Sequence, residues 1–192
     1  HHLSSNGQAG FVMPNGALAV SGKEGELRRK LIDADLVDVI ISCPSKLFYN
    51  VSLPVSLWFL SKNKGGDRFR NRKGETLFID ARDIFEQISR KQVVFNKENL
   101  EKIAGTVRSW RGEKGAQKYE DVSGFCKSAN LEEIKKNGYT LTPGRYVGLA
   151  DIEDDGISFD DKMQKLSREL REAFTKGREL EKDIEKNLKE LG

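Results

Sequence analysis

A chain of 192 residues, 37% hydrophobic and 33% charged, is long enough to bury one good core with some length left for an appendage, and its composition is ordinary for a soluble protein. No uninterrupted apolar stretch approaches the roughly 20 residues that a bilayer span needs, so no membrane anchor is expected. The net charge of +3 is the difference between 33 basic and 30 acidic residues, and it excludes no class of partner until the charges are located along the chain.

The chain opens on His1-His2-Leu3 with neither a charged lead nor an apolar core, so no signal peptide is expected; the two histidines can be a tag remnant or native. Leu3 to Gly7 reads as a last helical turn closed by glycine. Gly10-Phe11-Val12-Met13-Pro14-Asn15-Gly16 then reads as a buried strand stopped by a Pro-Asn-Gly turn, the first half of a parallel-sheet unit with its ligand end at Pro14 to Gly16. Ser21-Gly22-Lys23-Glu24 matches a capping box, predicting a helix from about Glu24 to Asp33 whose inward face is Leu27, Leu31 and Ile32.

Two further β-rich runs follow, Leu36 to Ser42 and Leu53 to Leu60. The connection between them, Cys43 to Ser52, is too short for a parallel crossover, which predicts antiparallel neighbours. Cys43 and Cys126 lie far apart and outside any Cys-x-x-Cys spacing, against both a zinc site and a disulfide scaffold; a reducing, cytoplasmic setting is expected, with no metal. A fourth strand, Glu75 to Ala81, is reached through a segment carrying Lys62, Lys64, Arg68, Arg70, Arg72 and Lys73 against the single acid Asp67. Such a loop can neutralise DNA phosphates or stand as a solvated turn that discourages edge pairing.

From 83 to 157 a mostly helical, irregular extension is expected, with helices near Asp83 to Ser89, Lys97 to Trp110 and Asn130 to Lys136. A loop is expected at Gly112 to Gly115 and an extended turn at Thr142 to Tyr146. Over 158–192, Phe159, Met163, Leu166, Leu170, Phe174, Leu180, Ile184, Leu188 and Leu191 recur at spacings of three and four, with one skip near Gly177. That is one long amphipathic helix, whose stripe asks for a partner helix or folds back on its own domain. Its alternating charges suit a helix contact better than a phosphate-binding face.

Gly10 to Gly16, Glu24 to Leu31, Leu47-Phe48-Tyr49-Asn50 before the Pro54 to Lys62 strand, and Leu77-Phe78-Ile79-Asp80-Ala81 together resemble, in order and spacing, the modification subunit of type I restriction-modification systems. Leu131 to Ile134, Asn137-Gly138-Tyr139 and Pro143 to Val147 are similar to that family's lead into a C-terminal helical region. The resemblance implies an α/β fold, the C-terminal part of a Rossmann-like S-adenosylmethionine-dependent methyltransferase sheet over residues 1–82, followed by the extension and the assembly helix.

It further implies methyl transfer to the exocyclic N6 of adenine in DNA, on a base taken out of the duplex. Phe48 matches the aromatic on which the extruded base rests, with Tyr49 the neighbouring alternative and Pro14 and Asn15 lining the pocket. On the residues alone, Phe48 more commonly closes a core beneath its loop. The implied partners are DNA, a specificity subunit, a second modification subunit and a restriction subunit, with Phe159, Met163, Leu166, Leu170, Leu180, Ile184 and Leu188 as the subunit contact.

The sequence also departs from the family. Pro14, Pro44, Pro54 and Pro143 are all isolated, so the catalytic Asn-Pro-Pro is missing, and no Gly-x-Gly turn is present to hold the methionine of the cofactor. Both motifs precede the Gly10 strand in the family, so the chain is expected to be inactive alone. The competing expectation is a non-catalytic module that contacts DNA and docks on a specificity subunit.

Overall fold

The computed structural model describes residues 2–49, 51–66, 69–149 and 159–191, and in the last of these segments the side chains of 161, 163–181, 184, 187 and 189. Two units form separately, His1–Asp151 and Ile152–Gly192.

The first unit is built on a five-stranded mixed sheet in the order β1-β3-β2-β4-β7. These strands are β1 (Gln8–Pro14), β2 (Val37–Ser42), β3 (Val55–Ser61), β4 (Glu75–Asp80) and β7 (Cys126–Asn130). β3 is antiparallel to both β1 and β2, as the short 43–52 connection requires. β1 and β2 therefore point the same way, and β2 and β4 pair in parallel.

β2 is buried at all six positions because both faces of the sheet are covered. On one side Val39, Ile41, Leu77 and Ile79 pack with Ile103 and Trp110 of α2 (Lys97–Arg111). On the other, Ile40, Trp58 and Phe78 pack with Ile32 of α1 (Lys23–Asp33), Ile134 of α3 (Leu131–Lys136), Leu18, Leu141 and Tyr146. The Tyr146 ring lies flat on Phe78 at 3.8 Å.

Several expectations are corrected. β1 is the edge strand and is not buried: Phe11 is 39% and Val12 48% exposed. Its Gly10 is needed for packing, since a Cβ there would meet the Phe59 ring at 3.1 Å. α1 begins under Gly22 with no side-chain cap, and Leu27 faces solvent. Arg28 is buried instead, donating to the carbonyls of Ala17, Val20 and Tyr139 at 2.9–3.1 Å; burial lowers its pKa. The Leu3–Gly7 stretch is a single turn closed by Gly7 N–H on Ser4 O.

No helix forms over 83–89. That stretch supplies β5 (Glu86–Ser89), which pairs with β6 (Gln92–Val94) in a hairpin outside the main sheet. The 83–157 segment also returns a strand to the core, because β7 pairs with β4. α2 and α3 fall where the sequence puts them. Asn96 and Asn130 cap them by accepting from the backbone N–H three residues on, and Gly112 closes α2 in the left-handed region at φ 67°. The Thr142 to Tyr146 turn is a short 3-10 turn at Pro143–Arg145.

The second unit is one helix, α4 (Phe159–Leu191), of 33 residues, about 50 Å at 1.5 Å per residue. Met163, Leu166, Leu170, Phe174, Leu180 and Ile184 are each about half exposed or more. The side chains of Phe159 and Leu188 lie outside the described residues. No helix among the described residues is long and apolar enough to cross a membrane.

Candidate functional site

Because β1, β2 and β4 run the same way, their carboxyl ends share one rim of the sheet, where ligands of such sheets bind. Pro14 sits there opposite Val55, and Ser42 opposite Ser56. The 43–54 connection crosses this rim, held by Cys43 N–H on Val55 O at 2.9 Å and by Asn15 N–H on Pro54 O at 3.4 Å. Within it Phe48 and Val51 form a bridge that closes a tight turn, leaving Phe48 42% and Tyr49 82% exposed. Val51 and Leu53 are exposed beside them, so the loop presents apolar surface to solvent.

The support beneath is rigid. Trp58 Nε1 donates to Ser56 Oγ at 3.1 Å, and Ser56 Oγ donates to Met13 O at 3.3 Å. Asn15 Oδ1 is buried and accepts from none of the described residues, the unusual condition that calls for an explanation. Cys43, also at this rim, is buried, and that burial pushes its thiol up to about 11, away from the thiolate form. The structure thus brings Phe48, Tyr49, Pro14 and Asn15 to one rim.

The basic segment is placed elsewhere. It joins the end of β3 to the start of β4, at the opposite rim, and strands of six or seven residues separate the two rims by about 20 Å. Much of its charge is also used internally. Lys64, 3% exposed, donates to Asp35 Oδ1 at 2.6 Å and to Val37 O at 2.9 Å. Arg72 is fully buried against Asp38, itself fully buried in a bulge of β2, and Arg111 of α2 takes the second Asp38 oxygen at 2.9 Å.

Arg70 pairs with Glu75 at 2.6 Å and donates to Trp110 O. Its hydrogen bond holds the Glu75 carboxyl below the ordinary range, against the opposing effect of burial. Lys64, Arg70 and Arg72 thus spend their charge on carboxylates within this unit. Lys62 donates to Leu3 O, Lys73 lies at the same far rim, and Arg68 lies outside the described residues. Asp67 is the sole acid within the 62–73 segment itself. The carboxylates that pair these cations come from α1–β2 and β4.

A cleft of about 490 Å³ opens on the first rim, between the 43–54 loop and the β5–β6 hairpin, lined by Cys43, Lys46, Pro54, Arg82, Phe85 and Gln87 among others. Arg82 there makes a forked contact to Asp80, Nε at 2.8 Å and Nη2 at 2.6 Å, which raises its pKa. No group of three or more His, Cys, Asp or Glu among the described residues could hold a metal ion.

Residues 1–155 match the N-6 DNA methylase family. The chain is 47% identical over its whole length to the type I restriction enzyme HindI methylase subunit of Haemophilus influenzae, covering 42% of that protein. It is 46% identical to the MjaIX methylase subunit of Methanocaldococcus jannaschii, again over its whole length and covering 33% of that protein. It thus spans less than half of the curated relatives it matches.

Among solved structures, the type I restriction-modification methyltransferase subunit from Streptococcus thermophilus superposes with a TM-score of 0.65 at 31% identity, over 77% of this chain and 28% of that one. The EcoKI M protein shares the fold, with a TM-score of 0.56 at 18% identity over 92% of this chain and 41% of that one. The chain belongs to the N-6 DNA methylase family and resembles the methylase subunits of type I restriction enzymes.

Proposed function

We propose that this chain is the part of a type I modification subunit that presents the target-base wall, and that the complete protein transfers a methyl group from S-adenosylmethionine to N6 of adenine in DNA. The observation that carries the reading is the Phe48–Tyr49 turn. It exposes two aromatic side chains on the rim where the parallel strands end, on a rigid base. A stacked, paired adenine hides its amine, so the base must leave the duplex and needs a flat apolar face to replace the stacking it loses. Phe48 supplies that face, Tyr49 flanks it, and Pro14 and Asn15 close the pocket wall.

The cofactor does not fit on these residues. A methionine cradle needs a glycine-rich turn after a buried strand, and the turn that follows β1 at this rim, Pro14-Asn15-Gly16, comes after an exposed edge strand. Donor binding and the catalytic amide therefore belong to other residues of the complete enzyme, and this chain alone should not methylate DNA. The exposed stripe of α4 supports a second role in the same protein, as a docking helix for a specificity subunit and a second modification subunit. The restriction subunit joins the same complex.

The test is the complete protein assembled with its partner subunits. Phe48→Ala should weaken binding of a duplex containing the target site by about 1–3 kcal/mol and lower the fluorescence of 2-aminopurine placed at the target position. An unchanged affinity and signal in a folded variant would sink the stacking role.

A further inference from the structure

DNA brought to the Phe48 rim needs cations at that rim, and the 62–73 segment is at the other. Of the basic residues around the 490 Å³ cleft, Arg82 is already taken by Asp80. Lys46 also lines the cleft, and Arg90 and Lys91 sit in the hairpin turn beside it. Each is exposed, and none has a carboxylate partner among the described residues.

These three belong to one built element. Lys46 adopts a left-handed conformation, φ 61°, in the loop that carries Phe48 two residues later. There its carbonyl accepts from Val93 N–H of β6 at 3.1 Å, while its ammonium donates to Arg90 O in the hairpin turn at 2.9 Å. A two-stranded hairpin has little stability by itself. This one is fixed by those two bonds and by Val93, which is 5% exposed, while all four residues of β5 face solvent. The tip Arg90–Lys91 is thus held rigidly to the base-stacking loop, with Phe85 and Ile88 exposed on the same hairpin.

We propose that Lys46, Arg90 and Lys91 grip the phosphodiester backbone of duplex DNA beside the extruded adenine, with the β5–β6 hairpin as the platform. This rests on the methyltransferase reading above. Backbone contacts of this kind fix register and orientation and carry no sequence information, which suits a subunit expected to leave recognition to another. The exposed apolar side chains on the hairpin suit deoxyribose packing between phosphates.

The experiment compares wild type with Lys46→Gln/Arg90→Gln/Lys91→Gln in the assembled enzyme, measuring affinity for an arbitrary 30-base-pair duplex by fluorescence anisotropy across a salt series. Each lost phosphate contact removes about 0.9 from the slope of log K against log salt, so three contacts should flatten it by about 2.7. Lys73→Gln, at the far rim, should leave it unchanged. An unchanged slope and affinity in the triple variant overturns the grip, as does loss of subunit assembly with the slope of the remaining complex intact. Wild-type methylation of a target duplex is scored in parallel: its absence counts against the methyltransferase reading, while a flattened slope still supports the grip.

Discussion

Replacing Arg72 by methionine removes a guanidinium that is fully buried and leaves the Asp38 carboxylate, also fully buried, with one cation instead of two. Asp38 Oδ1 loses the Nε–H bond at 3.2 Å and Arg70 O loses a donor at 3.1 Å, while Arg111 keeps its 2.9 Å contact to Oδ2. Breaking a buried pair by deleting one partner costs about 3–5 kcal/mol, and the surviving Arg111 bond puts this case near 3. For a unit of this size that corresponds to a drop in Tm of roughly 6–12 °C. Urea unfolding of the complete protein, followed by tryptophan emission, measures the loss. A DNA-contacting Arg72 predicts the reverse, full stability and a salt slope flatter by about 0.9. A loss under about 1 kcal/mol together with that flatter slope would refute the structural role of the cluster.

Glu75, whose carboxyl pKa is lowered chiefly by the hydrogen bond from Arg70, contributes stability that is complete above the ordinary glutamate value near 4.3 and is lost as pH falls through the lower folded value. The Tm difference between wild type and Glu75→Gln should hold from pH 7 to about 5 and shrink below about 4; a difference that vanishes already at pH 6 contradicts the assignment. Cys43 and Cys126 are both buried with thiol pKa values raised by desolvation. Iodoacetamide at pH 8 should therefore label neither in the native protein and both in urea, as counted by intact mass, and native labelling of either thiol speaks against the packing described. Leu166→Glu/Leu170→Glu on the exposed stripe of α4 should abolish co-purification with the specificity subunit while leaving helix content unchanged by circular dichroism; retained complex defeats the docking role.

The central strands were legible because their signal is local: Val39 to Ile41 and Leu77 to Ile79 are apolar on both faces, and only a covered strand tolerates that. β7 was not, since Cys-Lys-Ser-Ala-Asn has weak β propensity and becomes a strand by pairing with β4 and by the Ser128 hydroxyl that accepts from Trp110 Nε1 at 2.8 Å. The 83–89 stretch misled because Ile84, Phe85 and Ile88 fall at helical spacing; their outcome is decided by Lys46, some forty residues earlier, which fixes the hairpin. The internal pairing of the basic segment is hidden in the sequence for the same reason. Its sequence shows the cations, and the partners Asp35, Asp38 and Glu75 become neighbours only when the sheet forms. The aromatic turn of the proposed site has a signal in the sequence, through a family resemblance carried by Leu47 to Asn50, whereas the hairpin cations beside it have no motif to announce them.

The two rims of the sheet differ in what their polar groups have left to offer. At the far rim Lys64, Arg70, Arg72 and Arg111 all face carboxylates. Even the arginine nitrogens there without an acceptor, Nη2 of Arg72 and Nε of Arg111, belong to guanidinium groups lying near the Phe69 ring. Docking DNA on Arg72 or Arg111 would require opening pairs to the buried Asp38 carboxylate whose disruption costs several kcal/mol, more than a phosphate contact returns. At the ligand rim the balance runs the other way. Phe48 and Tyr49 are uncovered, and among the described residues Asn15 Oδ1 has no donor and Lys46, Arg90 and Lys91 face no carboxylate. Leaving a buried acceptor unpaired and aromatic rings in water costs folding stability, and a bound partner recovers that cost only where those groups stand. On the methyltransferase reading proposed above, nucleic acid is therefore expected to approach from the Phe48 side.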